Sequence, residues 1–258
     1  MLLAIDSGNT NIVFAVYEGD RRRGEWRSSS VNRLTADEYA VWLIQLMALQ
    51  GMTPADVTDA IIANVVPAVT FDLRTLCRRY FNCDPLIVGE SGVELGIDVH
   101  MDMPKEEIGA DRLVNAIGAA GRYPLPLIVV DFGTATTFDV VDAKGDYCGG
   151  VIAPGINLSL EALNLAAAKL PRIAVKKPPS VIGKSTVPAM QSGVYWGYIS
   201  LIEGVVRRIA EEFGSKMTVV ATGGLAPLFA EAVDAIEHLD PDLTLRGLVE
   251  IHRRNKRP

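Results

Sequence analysis

Short apolar runs alternate along this chain with longer stretches whose apolar positions recur at helical spacing. The runs Leu2–Asp6, Asn11–Tyr17, Gly24–Ser28, Ala60–Asn64 and Leu86–Val88 predict strands. Thr35–Gln50 predicts a helix opened by a Thr35–Glu38 capping box. Pro67–Tyr80 predicts another, with Pro67 suited to its first turn. Gly89–Met103 has three glycines and no period, and reads as a loop. Ile108–Arg122 is again helical, stopped by Tyr123-Pro124-Leu125-Pro126.

The second part of the chain restarts the pattern. Leu127–Asp131 is an apolar run ending in Asp, followed by strands at Thr136–Val141 and Asp146–Ala153. Leu158–Lys169 predicts a helix, and Pro171–Ser185 a polar loop. Val187–Gly214 predicts a long helix whose Gly193, Gly197 and Gly204 suggest close packing. Met217–Ala221 is a strand running into Thr222-Gly223-Gly224, and Asp242–Arg254 a terminal helix. The basic tail Arg253–Arg257 reads as a solvated, frayed helix end. Such alternation predicts an α/β fold with a mixed or parallel sheet.

One similarity joins the two parts. Asp6-Ser7-Gly8-Asn9-Thr10 and Asp131-Phe132-Gly133-Thr134-Ala135-Thr136 each follow an apolar run and precede a further strand. The spacing is too long for a solenoid repeat and fits two related halves. The boundary is expected near the Tyr123–Pro126 break, giving halves 1–120 and 121–258, with the last helix a candidate to cross back to the first half.

Composition narrows the function. With 258 residues and a net charge of −6, the chain suits a globular protein of one large or two small domains, not a nucleic-acid coat. No run is long enough for a membrane helix, and the N-terminus lacks the basic start of a signal peptide, so a cytoplasmic protein is expected. Cys77, Cys83 and Cys148 predict reduced thiols rather than a disulfide framework. His100, His238 and His252 sit near no cysteine at zinc-ligand spacing, whereas Mg²⁺ held by oxygen ligands fits the composition.

The two Asp-x-Gly turns carry the candidate chemistry. Glycine lets backbone N–H groups approach phosphate oxygens closely, and Ser, Thr and Asn add neutral donors. An Asp at the head of such a turn can hold Mg²⁺ through water. Neither a P-loop nor a dinucleotide-binding glycine motif occurs.

Asp6–Asn11 resembles the first phosphate motif of the acetate kinase/sugar kinase/Hsp70/actin superfamily, Asp131–Thr137 its second, and Thr222-Gly223-Gly224 its adenosine motif. More narrowly, Gly109-Ala110-Asp111-Arg112, Gly149-Gly150-Val151-Ile152-Ala153-Pro154-Gly155 and Thr186 resemble type III pantothenate kinases, in the family's order from about residue 2 to 230. The resemblance implies two ribonuclease H-like halves of the actin-like ATPase fold, with nucleotide in the cleft between them. It implies ATP-dependent phosphorylation of pantothenate to 4′-phosphopantothenate, the first step of coenzyme A biosynthesis, by a homodimer.

The resemblance also assigns residues. Asp111 is the expected general base. Gly109, Ala110, Asp111, Arg112 and Thr186 are expected at the pantothenate, Thr186 with the alternative of capping the following helix. Asp6, Ser7, Gly8, Asn9, Thr10, Asn11, Ile12, Val13, Thr134, Gly223 and Gly224 are expected at ATP. Asp6 would orient Mg²⁺ through water, and Asp131 would help bind K⁺ or NH₄⁺. The family's Tyr before Gly-Ala-Asp-Arg is missing from Val99–Ile108. Two other readings use the same motifs: a non-catalytic regulatory protein of this fold, and a kinase for another small alcohol. The retained Asp6, Asp111 and Asp131 favour catalysis.

Overall fold

In the computed structural model, which describes residues 1–167 and 170–256, the elements run as follows. They are β1 Leu2–Ser7, β2 Asn11–Glu18, β3 Arg21–Ser29, α1 Ala36–Ala48, β4 Asp59–Asn64, α2 Thr70–Tyr80, β5 Leu86–Ile87 and α3 Ala110–Ala120. Then come β6 Leu127–Phe132, β7 Ala135–Val141, β8 Tyr147–Pro154, α4 Ile156–Ala166, α5 Thr186–Phe213, β9 Thr218–Thr222, α6 Ala226–Ala230, β10 His238–Leu239 and α7 Leu243–Asn255. They form two compact units: residues 1–121 with the chain from Asp242 onward, and residues 122–241.

The two units share one topology. The first sheet has the order β3-β2-β1-β4-β5 and the second β8-β7-β6-β9-β10. In each, the opening strand pairs antiparallel with the next and parallel with the strand that follows the intervening helices. The two Asp-x-Gly segments thus hold the same place in two copies of one α/β plan.

The opening strand is central in each sheet and covered on both faces, which is why Leu2–Ile5 and Leu127–Val130 are apolar without alternation. Leu3, Ile5 and Phe14 pack with Tyr39, Leu43 and Leu73 in the first core. Ile128, Val130 and Phe138 pack with Tyr195, Ile202 and Phe229 in the second. In the first unit α3 and α7 cross closely. A Cβ added at Gly118 would lie 2.8 Å from Leu243 O, and one at Gly247 would lie 2.1 Å from Val114 O. Larger residues would push the helices apart.

The Thr35–Glu38 capping box forms as the pattern predicts. Other expectations shift. Pro67–Val69 is a 3₁₀ turn ahead of α2. The helix expected over Leu158–Lys169 is α4, and Lys169 lies outside the described residues. β3 starts three residues before the predicted run, at Arg21, because an edge strand tolerates charge on its outward positions. α6 and β10 are too short to show a period. The basic tail is not frayed as far as it is described. Arg253 pairs with Asp20, Arg254 donates to Leu95 O at 2.6 Å, and Asn255 bonds the main chain of Glu94. Arg257 lies outside the described residues. Among the described residues the close packing expected at Gly193 and Gly197 is absent: a Cβ at either would meet nothing within 4 Å. No described helix is long and apolar enough to cross a membrane.

Candidate active site

In the first unit, β1 and β2 are joined through Gly8-Asn9-Thr10. The Gly8 N–H donates to Asn11 O at 3.0 Å, closing the turn. A residue from the end of the next hairpin braces it: the Ser30 hydroxyl donates to Gly8 O at 2.6 Å, and the Ser30 N–H to Thr10 O at 2.9 Å. With these carbonyls occupied, Asn9, Thr10 and Asn11 project into solvent as polar side chains. Asp6 is half-buried on β1, opposite Val13 of β2 and Ala63 of β4. Ser7 and Ile12 were expected beside the nucleotide, yet both side chains are buried. Their main chain is what these two positions can offer a phosphate.

In the second unit, the equivalent turn is Gly133-Thr134, exposed between β6 and β7. Two glycines let neighbouring backbone close on it. A Cβ at Gly155, where β8 passes into α4, would lie 2.1 Å from Thr134 O. A Cβ at Gly223, at the end of β9, would lie 2.5 Å from an Asp131 carboxylate oxygen and 2.6 Å from Phe132 N. Gly223 also has φ +93°, a conformation that favours glycine. Asp131, Thr134, Gly155 and Gly223 are therefore brought together. Gly224 follows with open space around it. Tyr198 of α5 ties the base of this group, its hydroxyl 2.7 Å from both Thr136 Oγ1 and Pro154 O.

The segment Gly109–Arg112 opens α3, with Gly109 as its N-cap. The Asp111 carboxylate accepts the Arg112 N–H at 2.8 Å. It folds back over Gly109, where a Cβ would lie 2.7 Å from its oxygen. A side chain at that position would displace the carboxylate from this place. Burial pushes the Asp111 carboxyl above the usual carboxylate range, partly opposed by the Arg112 N–H and guanidinium. Ala110 is buried against the helix start. Between Pro104 and Ile108 the chain makes a 3₁₀ turn, so the stretch without the family's Tyr meets α3 through a buried Ile108.

Thr186 lies outside these groups, exposed as the first residue of α5. The cap position belongs to Ser185, so Thr186 is not the N-cap, and neither reading of the helix start needs its hydroxyl for capping. Sequence reasoning passed over Ser30 and Tyr198. Each acts far away in sequence: Ser30 reaches its turn from the end of β3, and Tyr198 reaches Thr136 and Pro154 from α5. Gly155 stood in a quoted motif, but its contact with Thr134 becomes visible only in three dimensions.

The donors at both turns are oxygens and main-chain N–H groups. That set suits phosphates and hard cations, and Asp131 in its glycine-lined cradle offers a carboxylate to such an ion. Asp111 supplies a proton acceptor of raised basicity.

Comparison with known proteins agrees with this chemistry. The family pattern described as type III pantothenate kinase matches residues 2–208. A type III pantothenate kinase from Paramagnetospirillum magneticum is 68% identical over 258 residues, covering 100% of this chain and 99% of that protein. A solved protein from Campylobacter jejuni, assigned to the Baf family of transcriptional activators, superposes with a TM-score of 0.63 at 19% identity, covering 98% of each chain. One from Porphyromonas gingivalis, assigned as an N-acetylglucosamine kinase, gives 0.54 at 13% identity, covering 99% of each. At such identities the two structures speak to fold alone, and they share with this chain its α/β fold.

Proposed function

The chain belongs to the type III pantothenate kinase family, and from that premise we propose how its residues divide the work. It is an enzyme that transfers a phosphoryl group from ATP to pantothenate in coenzyme A biosynthesis. In the proposed mechanism Asp111 accepts the proton of the attacking pantothenate hydroxyl. The observation that carries this is its placement: a carboxylate at the start of α3, raised in basicity by burial. Phosphoryl transfer needs little covalent help and depends on positioning and charge neutralisation. A base with a raised pKa takes a proton more readily as the hydroxyl attacks. Arg112 would hold a polar group of pantothenate with its fixed array of donors.

ATP is proposed to lie on the Gly8–Asn11 turn, taking the side chains of Asn9, Thr10 and Asn11, and on Thr134, with Gly8, Gly223 and Gly224 allowing close approach. Mg²⁺, oriented through water by Asp6, would neutralise phosphate charge when bound. Asp131 would help hold K⁺ or NH₄⁺. The proposed form is a cytoplasmic homodimer in contact through α5. Its outward-facing Gly193 and Gly197 and its exposed Val187 support that reading.

The test is ADP release from ATP and Mg²⁺, with and without pantothenate, in K⁺ and then in Na⁺. Pantothenate-dependent release that requires K⁺ or NH₄⁺ is expected. Asp111→Asn should lower kcat by about 10²- to 10⁴-fold while leaving nucleotide affinity in place. It should also raise Tm. The folded-state pKa of Asp111 lies above its ordinary value, so stability falls as pH rises through that interval, and a neutral Asn escapes the penalty. Full turnover by Asp111→Asn would sink the base assignment.

A further inference from the structure

Cys77, Cys83 and Cys148 have no part in the proposed transfer, and all three are thiols. Two of them meet at the end of α2. Cys77 is buried in the first core with Leu73 and Leu76. After Tyr80 the chain turns back on the helix through Asn82, at φ +51°; among the described residues no other non-glycine residue has a positive φ. The turn brings the Cys83 N–H to 3.2 Å from Cys77 O, and the Cys83 thiol to 3.9 Å from the same oxygen. The Cys77 thiol in return donates to the Cys83 sulfur. Disulfides span Cα atoms roughly 4.4–6.8 Å apart, a range that residues joined by a main-chain hydrogen bond occupy. Cys83 is half-buried, so an oxidant reaches the pair from its side.

We propose that Cys77 and Cys83 are a redox couple, a dithiol that hydrogen peroxide closes to an intrachain disulfide and a thiol reductant reopens. The Cys83 sulfur attacks one peroxide oxygen, the O–O bond breaks, and the departing oxygen leaves as water with the Cys83 proton. The Cys77 sulfur then attacks the resulting sulfenic acid. An S–S bond forms, the S–O bond breaks, and the hydroxyl leaves as a second water with the Cys77 proton. Two electrons pass from the sulfurs to the peroxide. Electrostatics sets the order of events. The hydrogen bond from Cys77 holds the Cys83 thiol below its ordinary pKa, against burial and the Asp59 and Asp84 carboxylates. The same contact, together with burial, keeps the Cys77 thiol protonated. Cys148 is also half-buried, but burial and Asp142 push its thiol up. Cys83 is therefore the sulfur that reacts first.

Peptide mapping of the full chain, after peroxide treatment and alkylation of the remaining thiols, tests this. Arg78 and Arg79 lie between the two cysteines, so trypsin separates them unless a disulfide joins their fragments. The expected product is fragment 75–78 linked to fragment 80–105, with an intact mass lower by two hydrogens and the link lost on adding dithiothreitol. Cys83 should be consumed about 10-fold faster than Cys148. Cys77→Ala should stop Cys83 at the sulfenic acid, captured by dimedone, and Cys83→Ser should leave Cys77 a thiol. The map of the unaltered chain decides the matter even if a variant does not fold. Cys83 oxidised to sulfinic acid while Cys77 stays a thiol would overturn the proposal. So would a Cys83–Cys148 link, or all three cysteines still alkylated under peroxide that oxidises free cysteine.

Discussion

The two turns occupy the same place in the same topology and are held by different forces. The Gly8–Thr10 turn is held by hydrogen bonds that Ser30 sends to two of its carbonyls. The Gly133-Thr134 turn is held by contact, with backbone at Gly155 and Gly223 lying where no side chain fits. A hydrogen-bonded brace contributes a modest net free energy and can be lost without moving atoms. A steric brace cannot be altered without moving backbone. The first turn should therefore yield gradually to mutation and the second abruptly.

The hardest test of that contrast is Gly155→Ala. Its Cβ would fall 2.1 Å from Thr134 O, so either α4 or the turn must shift. A loss of roughly 2–4 kcal/mol in stability is expected, with ATP affinity falling because Thr134 moves. Urea unfolding and nucleotide titration check both. A change below about 0.5 kcal/mol, the range of ordinary surface substitutions, would show that this turn is not sterically held.

Ser30→Ala tests the other side. It removes the hydroxyl bond to Gly8 O but keeps the main-chain bond to Thr10 O. A loss of about 1 kcal/mol is expected, seen as a rise of about fivefold in KM for ATP with kcat nearly constant. A collapse of kcat as large as that of Gly155→Ala would erase the distinction between the braces.

Much of this plan is legible in the sequence, for reasons particular to certain residues. Leu2–Ile5 and Leu127–Val130 reveal central strands because both of their faces are covered, and the two Asp-x-Gly segments mark equivalent turns. Thr35 and Glu38 mark a helix start because capping is local. What is not legible depends on distant neighbours. Arg21–Arg23 hide the start of β3, since an edge strand need not be apolar. Arg254 and Asn255 resemble a loose tail until the 94–95 segment is placed beside them. Gly193 and Gly197 promise close packing by composition, but a Cβ at either would meet nothing within 4 Å among the described residues. At the candidate site, Asp111 is visible through its motif, whereas Ser30 and Tyr198 act only through contacts that span tens of residues.

The smallest effect has the opposite sign. Ser7 and Phe132 are equivalent, each the residue after the Asp at the end of its central strand. Phe132 is buried and stacks on Phe229 with ring centroids 5.5 Å apart, filling the second core up to its turn. Ser7 is buried as well, but its hydroxyl has no hydrogen-bond partner among the described residues. A buried hydroxyl without a partner costs stability, so Ser7→Ala should stabilise the protein by about 1 kcal/mol, read as a higher urea midpoint at unchanged m. Because this substitution removes a polar atom that the first core does not bond, it separates the packing of that turn from the Ser30 brace above it. A lower midpoint would mean that the hydroxyl is bonded in solution, and the first turn would then rest on two hydrogen-bonding serines instead of one.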